Sequence, residues 1–305
     1  MPLSKELKSW KASGEYIEYG PLRHKIFVKQ IGDSKATSDR TLLLLHGFPE
    51  SSFSYHAVVD GLMKLFDRLI LFDFVGFGMS DKPVKSFSYS LLEQTDVALT
   101  VWSHFGVRGG HLLSHDMGVS VATELVARHE GKLLPAWFSE GLLSLTFTNG
   151  SMVLALSKLR ITQKILISRY GYLMKQLITY GLFSKQIRSA HGNDRLSEEM
   201  ISLLWESNNL QDGIKKSYLT IKYLKDRKQF EKTRWLPALA QTELPIHLCW
   251  GDADAVARVE MAFHLKEKVC RQATVTIMNG LGHFCQLGSP VKWLEHIGNY
   301  YRALR

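Results

Sequence analysis

Cysteine is scarce: three in 305 residues (Cys249, Cys270 and Cys285), an odd number with neither a CxxC pair nor a Cys/His ligand spacing. This excludes a disulfide framework and a structural zinc site, and it fits free thiols in a reducing compartment. No metal and no organic cofactor is expected. Long hydrophobic runs are also missing. No window approaches the ~18 uninterrupted apolar residues of a membrane-crossing helix. The opening "MPLSKELKSWKASGEY" lacks the apolar stretch of a signal peptide. The expected location is cytoplasmic. With 45% hydrophobic and 22% charged residues, the composition is that of a globular protein able to bury a large core.

Proline is absent from residue 150 until Pro237, and acidic residues are thin in the same place. Residues 150–235 hold 16 Lys and Arg against 7 Asp and Glu, so the whole net charge of +9 lies there, and the remainder balances at 22 of each. Such a segment is ordinarily a solvated face of basic helices. Its functional reading is a surface that attracts anionic membranes or acidic partners. Nucleic acid is not an expected partner, because no recognised binding motif accompanies the charge.

What is present is a rhythm of short apolar runs and amphipathic stretches. "EYIEYGPLRHKIFVKQIG" reads as a hairpin, and "RTLLLLHG", "RLILFDFVG", "GGHLLSH" and "LLSLTFTNG" read as strands buried on both faces. Between them, "HAVVDGLMKLF", "SLLEQTDVALTVWSHFG" and "VSVATELVARHEG" predict helices. The alternation stops near residue 150 and gives way to helices without strands. It resumes with "PIHLCWGDAD", "MAFHLKEKV", "ATVTIMNG" and "VKWLEHIGNYYRAL". The expected fold is α/β, a mostly parallel sheet flanked by helices. Residues 1–149 and 236–305 form its core domain, and 150–235 an inserted helical cap.

In such sheets, sites gather at the C-terminal ends of strands. "HGFPESS", "SHDMG", "WGDAD" and "GLGHF" all fall there. In "LLSHDMGVS" a carboxylate, Asp116, sits on the turn from strand to helix, between the small residues Ser114 and Gly118. Capping the helix is the ordinary job of such an Asp. The chain order Asp116, Asp254, His283 is, however, nucleophile, acid, base, the order of an α/β-hydrolase triad with Asp in the nucleophile position.

On "HGFPESS", "FDFVGFGMSDKP", "SHDMG", "GDAD" and "GHF", the chain resembles the α/β-hydrolases of the epoxide hydrolase and haloalkane dehalogenase group. Within that group it is most like the mesoderm-specific transcript proteins. The resemblance implies an α/β-hydrolase fold and a small hydrophobic substrate. It makes Asp116 a covalent nucleophile, with capping as an additional task, and His283 the base that activates water. Asp254 becomes the acid that orients His283, in preference to Asp252. The backbone N–H groups of Phe48 and Met117 become the oxyanion hole. Asn149 stands at the group's other acid position and cannot serve as a carboxylate. Asp73 is read as structural.

The side chains of Phe48 and Met117 stand where dehalogenases place donors to the leaving halide, and neither donates. Epoxide opening instead needs an acid that donates to the ring oxygen, and the resemblance implies two cap tyrosines in that role. Tyr223, 31 residues before Asp254 as the resemblance leads one to expect, is the main candidate. Tyr172 is preferred over Tyr170 and Tyr180 as the second. The leading function is therefore epoxide opening to a diol. The alternatives are a low-turnover receptor or partner-binding protein that retains the triad, dehalogenation, and ester hydrolysis. The last is disfavoured because Asp attack on an ester gives an anhydride.

Overall fold

The computed structural model describes residues 3–157, 161–192 and 196–304. Eight strands form one sheet: β1 (Glu15–Tyr19), β2 (His24–Gly32), β3 (Thr41–Leu45), β4 (Arg68–Phe72), β5 (Gly109–His115), β6 (Gly141–Thr148), β7 (Ile246–Gly251) and β8 (Thr274–Met278). Their spatial order is β1-β2-β4-β3-β5-β6-β7-β8. β1 with β2 and β2 with β4 are antiparallel, and every other pair is parallel.

The apolar runs belong to the centre because both of their faces are covered. Along β3, Leu43 and Leu45 enter one core cluster, where Val97, Val101, Val121 and Leu125 of the helices Leu91–His104 and Met117–Glu130 pack. Leu42 and Leu44 enter the opposite cluster, with Trp293, Ile297 and Tyr301 of the helix Pro290–Leu304. Alternate residues point to opposite faces of a strand, so an unbroken leucine run is what a strand between two helical layers requires.

Two local expectations differ from the structure. "HAVVDGLMKLF" contains only one helical turn, Val59–Leu62, preceded by the 3-10 turn Ser52–Tyr55. Gly61 weakens helix there, and a Cβ on it would lie 2.4 Å from Leu294. The second difference is an additional helix, Lys5–Ala12. Ser4 caps it, and Leu7 and Trp10, three residues apart, are buried. Trp10 Nε1 donates to Ser52 Oγ at 3.2 Å.

Among the described residues, the chain between β6 and β7 contains helices and turns and no strand. The run continues past residue 235 to the helix Leu236–Gln241, which carries Pro237 in its first turn, where a missing N–H costs nothing. Glu124, buried in the helix Met117–Glu130, ties the end of this run to the sheet layer. It accepts from Arg234 Nε at 2.7 Å, Arg234 Nη2 at 2.8 Å and Trp235 Nε1 at 2.9 Å.

Candidate active site

Asp116 stands between β5 and the helix Met117–Glu130 with φ 44° and ψ −108°. A left-handed φ on a non-glycine residue is strained and persists only where its surroundings enforce it. Here the enforcement is close packing. A Cβ on Gly118 would lie 2.6 Å from the carbonyl oxygen of Leu45 and 2.7 Å from that of His46. The helix can thus start directly against the end of β3, and the turn throws the Asp116 carboxylate out of the sheet. The additional capping task expected of Asp116 is not performed, since its side chain accepts no helix N–H. The same turn that aims the carboxylate at the cleft takes it away from the helix axis.

The carboxylate meets two partners. Oδ2 accepts from the backbone N–H of Phe48 at 3.0 Å. Oδ1 lies 3.9 Å from His283 Nε2, too far for a hydrogen bond but adjacent. Met117 occupies the first helical position, where an N–H has no acceptor in its own helix. Of the two expected oxyanion donors, Phe48 is the one that contacts Asp116 here.

On its other side, His283 Nδ1 lies 2.7 Å from Asp254 Oδ2. Asp254 is held by the N–H groups of Val256 (2.6 Å) and Ala257 (2.9 Å) and by Asn149 Nδ2 (2.7 Å). Asn149 therefore sits beside the acid as its positioning partner. Asp252 is exposed and accepts from Gly280 N–H instead. Asp73 binds the N–H groups of Ser52 and Met79, each at 2.7 Å, and so fixes loops as expected. Burial works against protonation of His283, but Asp254, Asp116 and Glu50 outweigh it and raise its pKa to about 9.

Three further residues escaped the sequence reading. Glu50 is fully buried, and burial raises its pKa to about 8. It accepts from Gln286 Nε2 at 2.8 Å and Gly47 N–H at 3.2 Å. His115 Nδ1 points at the carbonyl of Thr148, 3.1 Å away, which assigns the proton to Nδ1 and a lone pair to Nε2. That Nε2 faces Glu50 Oε2 at 3.4 Å, and burial with the neighbouring His283 keeps His115 neutral. A protonated Glu50 is the complement of such a lone pair. The third residue, His191, comes from the helical insertion. Its carbonyl accepts from His283 N–H at 2.9 Å, and its Nδ1 accepts from Phe284 N–H at 3.0 Å. Glu50 lies inside "HGFPESS" and could have been weighed there; no sequence signal marks His191.

A cavity of about 80 Å³ opens on Asp116 and His283. The insertion contributes Gln163, Phe183, Ile187 and Tyr223 to its walls, and the strand ends contribute Phe48 and Phe284. A smaller pocket of about 20 Å³ adjoins Asp116 between Tyr223 and Arg227. A wider groove of about 730 Å³, beside Asp96 and Trp137, touches none of these residues.

Tyr223 is buried in the wall. Burial and the Asp116 carboxylate raise its pKa, against the opposing Arg227, so the phenol is neutral at pH 7. Tyr172 is not brought to the site: it is half exposed on the 3-10 turn Gly171–Gln176 and lines neither pocket. Tyr170 and Tyr180 do not line them either. What stands beside Tyr223 is Arg227, one helical turn on. Its guanidinium lies 4.7 Å from the centre of the Tyr223 ring, and its Nε donates to Ser120 Oγ at 2.8 Å. Nη2 lies 3.4 Å from the Asp116 carbonyl oxygen. Arg227 is buried, and no carboxylate forms an ion pair with it among the described residues.

Comparison with known proteins agrees with this architecture. Residues 40–290 match the family model described as the alpha/beta hydrolase fold. The protein LipZ of Mycobacterium tuberculosis is 34% identical over 294 residues, which cover 96% of each chain. The mesoderm-specific transcript homolog protein of Homo sapiens is 32% identical over 303 residues, 96% of this chain and 87% of that one. Among solved structures, a haloalkane dehalogenase variant from Bradyrhizobium elkanii superposes with a TM-score of 0.72 at 18% identity, over 95% of this chain and 97% of that one. This chain belongs to the α/β hydrolase fold family.

Proposed function

We propose that the protein is a hydrolase that opens an epoxide to a diol through an ester of Asp116. The observation that carries this reading is the carboxylate itself: a strained Asp116 in the cavity wall, one oxygen on Phe48 N–H and the other beside a histidine held by Asp254. In the first step Asp116 Oδ1 bonds to an epoxide carbon and the C–O bond breaks. The electron pair goes to the ring oxygen, which takes a proton from the neutral Tyr223 phenol. The Arg227 guanidinium beside that ring is always charged and favours the oxyanion, but it supplies no proton. The phenolate is reprotonated from solvent.

In the second step His283 Nε2 removes a proton from water, which adds to the Asp116 carbonyl carbon. Negative charge then collects on Oδ2, where Phe48 N–H already points. Collapse expels the diol oxygen, which takes the proton from His283. One water is consumed and the enzyme is restored. Esterification also removes the Asp116 charge, which with Asp254 keeps His283 protonated, so the imidazole becomes a readier base when it is needed.

The two steps are separable. His283→Gln should open styrene oxide yet stall at the ester, with the intact mass raised by one substrate and the label on the peptide bearing Asp116. In heavy-oxygen water, the first-turnover diol from wild-type enzyme should carry light oxygen from the carboxylate. Heavy oxygen in that diol, with no trapped adduct, would refute the covalent route.

A further inference from the structure

The helical insertion carries an outward face that the proposed chemistry does not use. Of thirteen large hydrophobic side chains exposed among the described residues, six lie within residues 161–177: Ile161, Ile165, Tyr170, Tyr172, Leu173 and Leu177. Ile161 is 77% exposed and Leu177 61%. Lys164, Arg169 and Lys175 are interleaved with them, all exposed. None of the three is paired with a carboxylate among the described residues. From Glu140 to Asp194 the sequence contains no acidic residue between these two.

The inner side of the same stretch belongs to the cavity. On the helix Ile161–Ile167, Ile161 and Ile165 lie four residues apart and face outward, while Leu166 is buried and Thr162 and Gln163 line the Asp116 cavity. Met174 and Ile178 pack inward on the core. One short segment therefore presents apolar and cationic groups to the outside and the wall of the site to the inside.

We propose that residues 161–177 form a docking face for an anionic lipid bilayer, on which the protein rests with its cavity wall against the membrane. Several observations select this occupant. Apolar side chains mixed with lysine and arginine match the acyl–headgroup boundary of an anionic leaflet. A second copy of the chain is the less suitable partner, because a two-fold contact would oppose two acid-free basic faces. A soluble polyanion would leave the six apolar side chains in water. The contact is peripheral, since no helix among the described residues is long and apolar enough to cross a membrane. Docking is independent of the reaction. Delivery of an apolar epoxide from the lipid into the cavity is a consequence that rests on the function proposed above.

Flotation with phosphatidylcholine vesicles, with and without phosphatidylserine, tests the proposal. Each basic residue at an anionic surface is worth roughly fivefold in partitioning, so Lys164, Arg169 and Lys175 together should favour the anionic vesicles by about a hundredfold at low salt. The variant Ile161→Ser/Ile165→Ser/Leu173→Ser/Leu177→Ser keeps the charge and should lose most binding. Lys164→Glu/Lys175→Glu should lose the preference for phosphatidylserine. Circular dichroism melts of both variants should match wild type, because these side chains are exposed. Wild-type protein that floats with neither vesicle overturns the proposal, as does a serine variant that binds like wild type. A wild-type dimer that disappears in the serine variant, without vesicle binding, would assign the face to self-association instead. Binding is read without turnover, so an inactive protein that floats would refute the chemistry and leave the docking face standing.

Discussion

Glu50→Gln separates a buried neutral acid from a buried carboxylate. Burial raises the Glu50 pKa from 4.5 to about 8. The native state therefore keeps a proton that the unfolded chain releases, and stability falls as pH rises through that window. At 1.36 kcal/mol per pKa unit, the full effect is on the order of 5 kcal/mol above pH 8. The substituted amide has no proton to lose, but it cannot satisfy Gly47 N–H, Gln286 and His115 together, at a cost of about 1–2 kcal/mol. The variant should thus be slightly less stable than wild type near pH 5 and several kcal/mol more stable near pH 8.5, the curves crossing at roughly pH 6. His283, raised from 6.5 to about 9, also makes stability fall as pH rises from 6.5 to 9, and its larger causes, Asp254 and Asp116, remain in the variant. From pH 5 to 6.5, below the His283 window, the difference between the two proteins isolates Glu50. Urea denaturation at half-unit pH intervals measures it. A constant difference from pH 5 to pH 9 would show that Glu50 is ionised throughout, and the assignment of a protonated Glu50 facing His115 would fail.

Three other outcomes follow from the geometry. Asp254→Asn removes the charge 2.7 Å from His283 Nδ1, so the imidazole pKa should fall from about 9 towards its ordinary value, as read from its NMR titration; a value still near 9 would contradict the stated cause. Gly118→Ala drives a methyl to within 2.6 Å of the Leu45 carbonyl and should cost about 1–3 kcal/mol in chemical denaturation, whereas a neutral effect would mean that β3 yields easily. Phe48 and Met117 offer no side-chain donor, so bromoalkanes should release no bromide under conditions where epoxides turn over; release that disappears in Asp116→Ala would overturn that reasoning.

Much of this protein is local, and what is local was legible. β3, β4 and β7 are short apolar runs because each lies between two helical layers, and that requirement is written into consecutive residues. The strand-to-helix turn at Asp116 needs a small residue at 118 to approach β3, and the sequence shows glycine there. Asp254 and His283 follow their strands at short distances, so the order of elements alone put them at one end of the sheet. The insertion is different. On its helices a tyrosine serves equally well in a wall or on a surface. Only docking against the sheet decided that Tyr223 turns inward while Tyr172 stays half exposed. The same docking brought His191 to the backbone of His283, 92 positions away, and set Arg227 on the Tyr223 ring beside Asp116. Glu50 and His115 carry ordinary side chains in the sequence. Their protonation states arise from desolvation, which depends on everything packed around them and therefore on the tertiary structure alone.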